Sequence, residues 1–243
     1  MKPANSIVTC AAALCAMAAA PVSALTVYSN DFNTAIGSAW SVSGAGNTLE
    51  IERSDWIDLG NDVVVNDGAP GEHGDFYLGL GGNDNRGFQN QIVSLSLTSL
   101  LPHTAATLKL DLLAVSSWDG NPPTGPDIFG ITVNSGPSLL FTSFANNINQ
   151  LQSYPDSYPS LPGHPSGTGA YFFHLSGESR YHLAFTFDHT ASDLQINFFG
   201  LGLNDEGWGL ENVTVEVAPI PLPPAIILLC TGLAGLGAIR RRK

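Results

Sequence analysis

Two stretches of the chain gather side chains able to hold a hard cation. The first is Ser117-Trp118-Asp119-Gly120-Asn121, running on to Gly125-Pro126-Asp127. The second is Asn204-Asp205-Glu206-Gly207-Trp208-Gly209-Leu210-Glu211-Asn212-Val213. Carboxylates and amides on loops are the oxygen ligands that Ca²⁺ takes. Asp119, Asn121, Asp127, Asp205 and Glu206 are therefore expected to supply the shell of a structural Ca²⁺. The bland alternative is a pair of acidic turns, each with one packed Trp. No EF-hand loop occurs, and the single Gly81-Gly82-Asn83-Asp84 forms no repeat array. Trp118 and Trp208 in these stretches, with Tyr154 and Tyr158 further along, are the aromatic candidates for stacking on a sugar ring.

The signals for catalysis are poor. Gly163-His164-Pro165-Ser166-Gly167 does not fit the Gly-x-Ser-x-Gly turn of a nucleophile elbow. The six His, at 73, 103, 164, 174, 182 and 189, lack zinc-type spacing. Two facing carboxylates would suit glycoside hydrolysis. Asp205 and Glu206 are neighbours and would point to opposite faces of a strand, which leaves Glu206 with Asp119 or Asp127. Among 21 acids, one such pairing by chance is expected.

The elements that must position these groups are strands. Val93, Leu95 and Leu97 alternate with Ser94 and Ser96; Leu108, Leu110 and Leu112 alternate with Lys109 and Asp111. Tyr181, Leu183, Phe185 and Phe187 form another row, followed by Leu194, Ile196 and Phe198, then Val213, Val215 and Val217. This period of two places one row inward and one outward. Further strands are expected at Leu25–Ser29, Leu49–Arg53, Asp62–Val65, Asp75–Leu80, Ile128–Val133, Leu139–Phe144 and Tyr171–Leu175. Gly, Pro and Asn turns separate them, and no helical stripe of 12 residues interrupts them. The pattern predicts an all-β fold, a single jelly-roll-like β-sandwich. Asn146 to Gly169, with four prolines and Tyr154 and Tyr158, is expected to be a long loop at one end.

Charge is distributed unevenly. The 243 residues carry a formal −12. Residues 25–218 hold only four Lys and Arg against all 21 acids, a net −17, and lack cysteine. Such a surface excludes nucleic acid as a partner, and the missing thiols exclude disulfides, thiolate zinc sites and Cys/His catalysis there. It should also repel an anionic polysaccharide unless a cation bridges the two. A neutral glycan or a calcium-dependent matrix role fits better.

The cysteines and most of the cations sit at the ends, which read as export signals. Lys2, the apolar run Ile7 to Ala20 and the small residues of Pro21-Val22-Ser23-Ala24 predict a signal peptide, residues 1–24, cleaved by signal peptidase after Ala24. At the other end, residues 219–243, a Pro-rich stretch precedes the charge-free run Ala225 to Ile239, and Arg240-Arg241-Arg242-Lys243 closes the chain. Fifteen residues are short beside the roughly 20 of a comfortable span. The run is nonetheless expected to form a membrane helix with its basic end cytoplasmic.

The order of these last features resembles the PEP-CTERM sorting signal, in its Val-Pro-Leu-Pro-Ala-like variant. The matching residues are Pro221, Leu222, Pro223, Pro224 and Ala225, then Arg240, Arg241 and Arg242. An extra proline and the preceding Ala218-Pro219-Ile220 depart from that variant. The resemblance implies recognition by an exosortase-type membrane protease, transient anchoring in the inner membrane, and release to the surface or exterior of a bacterium that makes exopolysaccharide. The middle also resembles exported PEP-CTERM proteins with jelly-roll, lectin-like domains, through Asp31-Phe32-Asn33, the Ser-Trp-Asp-Gly loop and Glu206-Gly207-Trp208-Gly209-Leu210-Glu211-Asn212-Val213. Glu211 here replaces the Asp of that group. In such domains first and last strands share a structural Ca²⁺, so the resemblance adds Asp31 and Glu211 to the candidate ligands. The reading is a non-catalytic, calcium-stabilised carbohydrate-binding or matrix protein, with residues 25–218 as the domain. A jelly-roll glycoside hydrolase or lyase is the alternative, and a structural surface protein without a small ligand is the third.

Overall fold

The alternating segments form strands that pair into two antiparallel sheets. In the computed structural model the described residues are 23–53, 76–81, 87–115, 118–123, 125–145, 151–154, 158–159, 170–174 and 178–220. The strands are β1 (Leu25–Asn30), β2 (Trp40–Val42), β3 (Leu49–Arg53), β4 (Phe76–Leu80), β5 (Ile92–Leu97), β6 (His103–Val115) and β7 (Ile128–Val133). β8 (Ser138–Ser143), β9 (Leu151–Gln152), β10 (Tyr158–Pro159), β11 (Ala170–His174), β12 (Glu178–Asp188), β13 (Leu194–Leu201) and β14 (Gly207–Pro219) follow. No helix occurs among the described residues.

Seven strands form one sheet in the order β11-β12-β6-β14-β4-β3, with β1 also paired to β14. Five form the other, in the order β2-β5-β13-β7-β8. The first sheet is built on the long ladders of β6 with β12 and with β14. The inward rows anticipated from the alternation meet between the sheets. Leu108, Leu110, Leu112, Val213 and Val215 from one pack in a single core with Leu95, Ile131, Ile196 and Phe198 from the other. Burial of each such side chain stabilises the fold by roughly 1.5–3 kcal/mol. The result is a β-sandwich, and residues 24–219 make up a compact unit of their own.

Three features differ from the expected elements. β2 is not among the expected strands, since three residues are too few to show a period. The 146–169 stretch contributes the two-residue pair β9 and β10, and β9 is tied to the core: buried Gln152 accepts from Ala145 N–H (3.1 Å) and the Tyr181 hydroxyl (3.2 Å). In β14 a bulge between Glu211 and Thr214, with Asn212 at φ 50°, resets the alternation just before Val213. The expected strand Asp62–Val65 lies outside the described residues, as do the signal peptide apart from Ser23 and Ala24, and the sorting residues Pro221, Leu222, Pro223, Pro224, Ala225, Arg240, Arg241 and Arg242. Ala24 is exposed immediately before β1. No helix among the described residues is long and apolar enough to cross a membrane.

Candidate functional site

Three carboxylates converge at one end of the sandwich because three strands end or begin there. Asp119 follows β6, Asp127 immediately precedes β7 and Glu206 immediately precedes β14. One ligand oxygen from each lies within 4.8 Å of the others. The loops are fixed by short-range bonds. Trp118 Nε1–H donates to Gly207 O at 2.8 Å, joining the end of β6 to the start of β14. Asp127 N–H donates to Gly120 O at 3.1 Å, and the Asp127 carboxylate accepts from Asp119 N–H. Gly120 has φ +69°, and a Cβ there would strike Leu151 O and Ala145. Glycine is therefore required at that turn.

The electrostatics favour a cation. Asp127 and Glu206 are only 4% and 5% exposed. Glu206 Oε2 accepts from the backbone N–H groups of Asn204 (3.0 Å) and Asp205 (3.2 Å), which fix the direction of the carboxylate. Burial pushes the Asp127 carboxyl up to about 6, and the charges of Glu206, Asp119 and Asp205 add to the effect. A cluster of like charges partly out of water is costly until a cation neutralises it. The set is all oxygen, the chemistry of a hard ion such as Ca²⁺ rather than of zinc or copper. The three residues fit a metal ion.

The other expected ligands do not join this cluster. Asn121 Oδ1 is taken by the hydroxyls of Ser143 and Ser153, so it braces the loop instead. Asp205 is exposed and lends its backbone N–H to Glu206. Asp31 is exposed in a turn of its own, where Asn33 N–H donates to it at 3.0 Å and holds its carboxyl below the usual range. Glu211 is buried on the face of the seven-stranded sheet turned away from the core, 3.0 Å from Arg180 Nη2. The first and last strands do pair, but Asp31 and Glu211 form no shared ion site.

The expected stacking aromatics are also redistributed. Trp118 and Trp208 are both 0% exposed and cannot touch a ligand. Trp208 lies against Phe88 and Phe129 and donates its Nε1–H to Gln89 O at 2.8 Å. Tyr154 leans on Phe144 and Tyr181 and is half-buried. The Tyr158 side chain lies outside the described residues.

On the outer face of the five-stranded sheet, exposed Phe141 and half-buried Phe199 lie with ring centroids 6.3 Å apart. Phe141 is 59% exposed. None of the five strands of this sheet contains an Asp, Glu, Lys, Arg or His. Both signals were present in the sequence. Phe198 and Phe199 are adjacent, so in a strand one must face outward. The segments that form this sheet are uncharged inside a region of net −17.

No family model matches the chain, and no curated protein does. Among solved structures it is similar to the CBM22-1 xylan-binding domain of Paenibacillus barcinonensis Xyn10C, at 12% identity, covering 83% of this chain and 99% of that one, with a TM-score of 0.41. It is also similar to the K1 cleaved adhesin domain of Lys-gingipain from Porphyromonas gingivalis W83, at 14% identity, covering 77% and 96%, with a TM-score of 0.40. A family 35 carbohydrate-binding module from Clostridium thermocellum is similar at 13% identity, covering 79% and 100%, with a TM-score of 0.35.

Proposed function

We propose that this is an exported envelope or extracellular-matrix protein whose β-sandwich binds carbohydrate without transforming it. The observation that carries the reading is the uncharged outer face of the five-stranded sheet, with exposed Phe141 and half-buried Phe199 beside hydroxyl and amide side chains. Sugars present apolar C–H faces and rings of hydroxyls, and such a surface answers both. The closest carboxylates support a non-catalytic role. Asp127 and Glu206 are sealed by their own loops and offer no access to a glycosidic bond.

Asp119, Asp127 and Glu206 hold Ca²⁺, which supplies positive charge to a buried acidic cluster and ties the ends of β6, β7 and β14 together. The terminal segments serve as the signal peptide and a PEP-CTERM-like sorting signal. An exosortase-type protease cuts near the prolines after transient anchoring in the inner membrane, and the domain is delivered to the surface or exterior.

A glycan array on residues 25–218, with and without Ca²⁺, tests the binding. Binding of any oligosaccharide class supports it, and a blank array in both conditions overturns it. Mass spectrometry of the mature protein tests the sorting: loss of the terminal Arg cluster is expected, and an intact Lys243 refutes it.

A further inference from the structure

Cross-strand register sorts the outer face of the five-stranded sheet into bands running across the strands. One band is polar and takes one side chain from every strand: Ser41 pairs with Ser94, Ser94 with Asn197, Asn197 with Thr132, and Thr132 with Ser138. The next band is apolar: Ile92 pairs with Phe199, Phe199 with Gly130, and Gly130 with Phe141. The Phe199 ring lies over Gly130, where a Cβ would collide with it. Glycine at that position lets the ring lie down on the sheet instead of standing up from it.

The polar band is set in advance. Asn197 Oδ1 accepts from Ser94 Oγ–H (2.8 Å) and from Gln195 Nε2–H (3.0 Å). Two donors on the oxygen fix the amide's orientation. The Asn197 Nδ2 then has no hydrogen-bond partner among the described residues. A shallow trough of about 360 Å³ lies over Asn197, Thr132, Phe199, Ile92 and Leu201.

We infer that this trough and the two bands form a binding site for an uncharged, linear oligosaccharide that lies across the strands. Its sugar rings stack on Phe199 and Phe141, and its hydroxyls meet Asn197 and the Ser and Thr side chains beside it. This rests on the carbohydrate-binding reading above and adds the direction, the length and the ligand class. The direction follows from the bands, since a chain lying along a strand would meet apolar and polar side chains in turn. The length follows from spacing: five strands at about 4.8 Å span roughly 19 Å, enough for several sugar rings rather than one. The class follows from charge. The face itself offers no cation for a uronate or sulfate, and the domain's net −17 repels both.

The test is an array of neutral and uronate oligosaccharides, from disaccharides to hexasaccharides, with wild-type protein, Phe141→Ala/Phe199→Ala and Asn197→Asp. Wild type is expected to bind neutral linear chains, more tightly with length up to about four to six rings. Loss of both rings should weaken binding at least about tenfold. Asn197→Asp, which keeps the acceptor for Ser94 and Gln195 and removes the outward donor, should weaken it while leaving the melting temperature unchanged. It thereby covers the case in which the double variant does not fold. Wild-type affinity in both variants overturns the site and leaves carbohydrate binding standing. Preference for uronates overturns the ligand class. No binding by wild type overturns the reading on which the site rests.

Discussion

Replacing Asp127 by Asn should stabilise the protein when no divalent cation is present. The Asp127 carboxyl is pushed up to about 6 in the fold from its ordinary 3.8, by burial first and then by the charges of Glu206, Asp119 and Asp205. Just over two units, at 1.36 kcal/mol each, amount to at most about 3 kcal/mol, less what solvent screens on the Asp119 side. The sign follows from linkage. A carboxyl with a raised folded value favours folding fully below pH 3.8, and that advantage is lost as pH rises through about 6. At pH 7.5 the ionised group therefore opposes folding. Asparagine keeps the acceptor for Asp119 N–H and removes the charge. In chelator at pH 7.5 the variant should melt higher than wild type by up to roughly 6–12 °C, given about 2–4 °C per kcal/mol for a domain of this size. At pH 4 the gap should close. Added Ca²⁺ should raise the wild-type melting temperature and barely move the variant. The assay is calorimetric melting at pH 4, 5.5 and 7.5, with chelator and with Ca²⁺. Taking the difference between the two proteins cancels every other titrating group. If Asp127→Asn is no more stable than wild type in chelator at pH 7.5, the account of a strained acidic cluster is wrong.

Other perturbations separate the remaining parts. Glu211→Gln should cost about 3–5 kcal/mol by removing the carboxylate beside the buried Arg180 guanidinium, with the calcium response unchanged; urea melts with and without Ca²⁺ check both halves. Gly120→Ala should destabilise by about 1–3 kcal/mol, because φ +69° is unfavourable to alanine and its Cβ meets Leu151 O, and should also blunt the calcium-induced rise in melting temperature. At the other end, buried His103 shares a hydrogen bond of 2.7 Å with His189, whose pKa is lowered by burial first and then by His103. A lowered histidine adds stability that is present above its unfolded value near 6.5 and is lost as pH falls through the lower folded one. Melting temperatures should therefore drop between pH 7.5 and 5.5, and His189→Gln should reduce the drop; an equal drop in both proteins would refute that assignment.

What the sequence determined is what short-range physics controls. Alternation at Leu108 to Leu112, Tyr181 to Phe187 and Val213 to Val217 named the strands and their inward faces, because successive side chains in a strand must point to opposite sides. Segregation of charge located an acid-rich domain without cysteine. The oxygen ligands of the two loops were visible as types, and Asp119, Asp127 and Glu206 were among them.

Only the tertiary structure decided which of them meet. Asn121 is two residues from Asp119 and turns to Ser143 and Ser153, while Asp127 and Glu206 are far apart in sequence and converge. Strand order sets β6 beside β14, the packing of one sheet on the other brings the start of β7 to them, and no local pattern encodes either. The same holds for the aromatics. Indole rings beside acidic residues are expected at the surface, yet Trp118, after β6, and Trp208, in β14, are both part of the core. Phe199 reaches solvent through simple alternation with Phe198, but its partnership with Phe141 and Gly130 exists only because β13, β7 and β8 are neighbours in register. Pairing between distant strands is set by how whole faces bury one another, and that is a property of the assembled sheets.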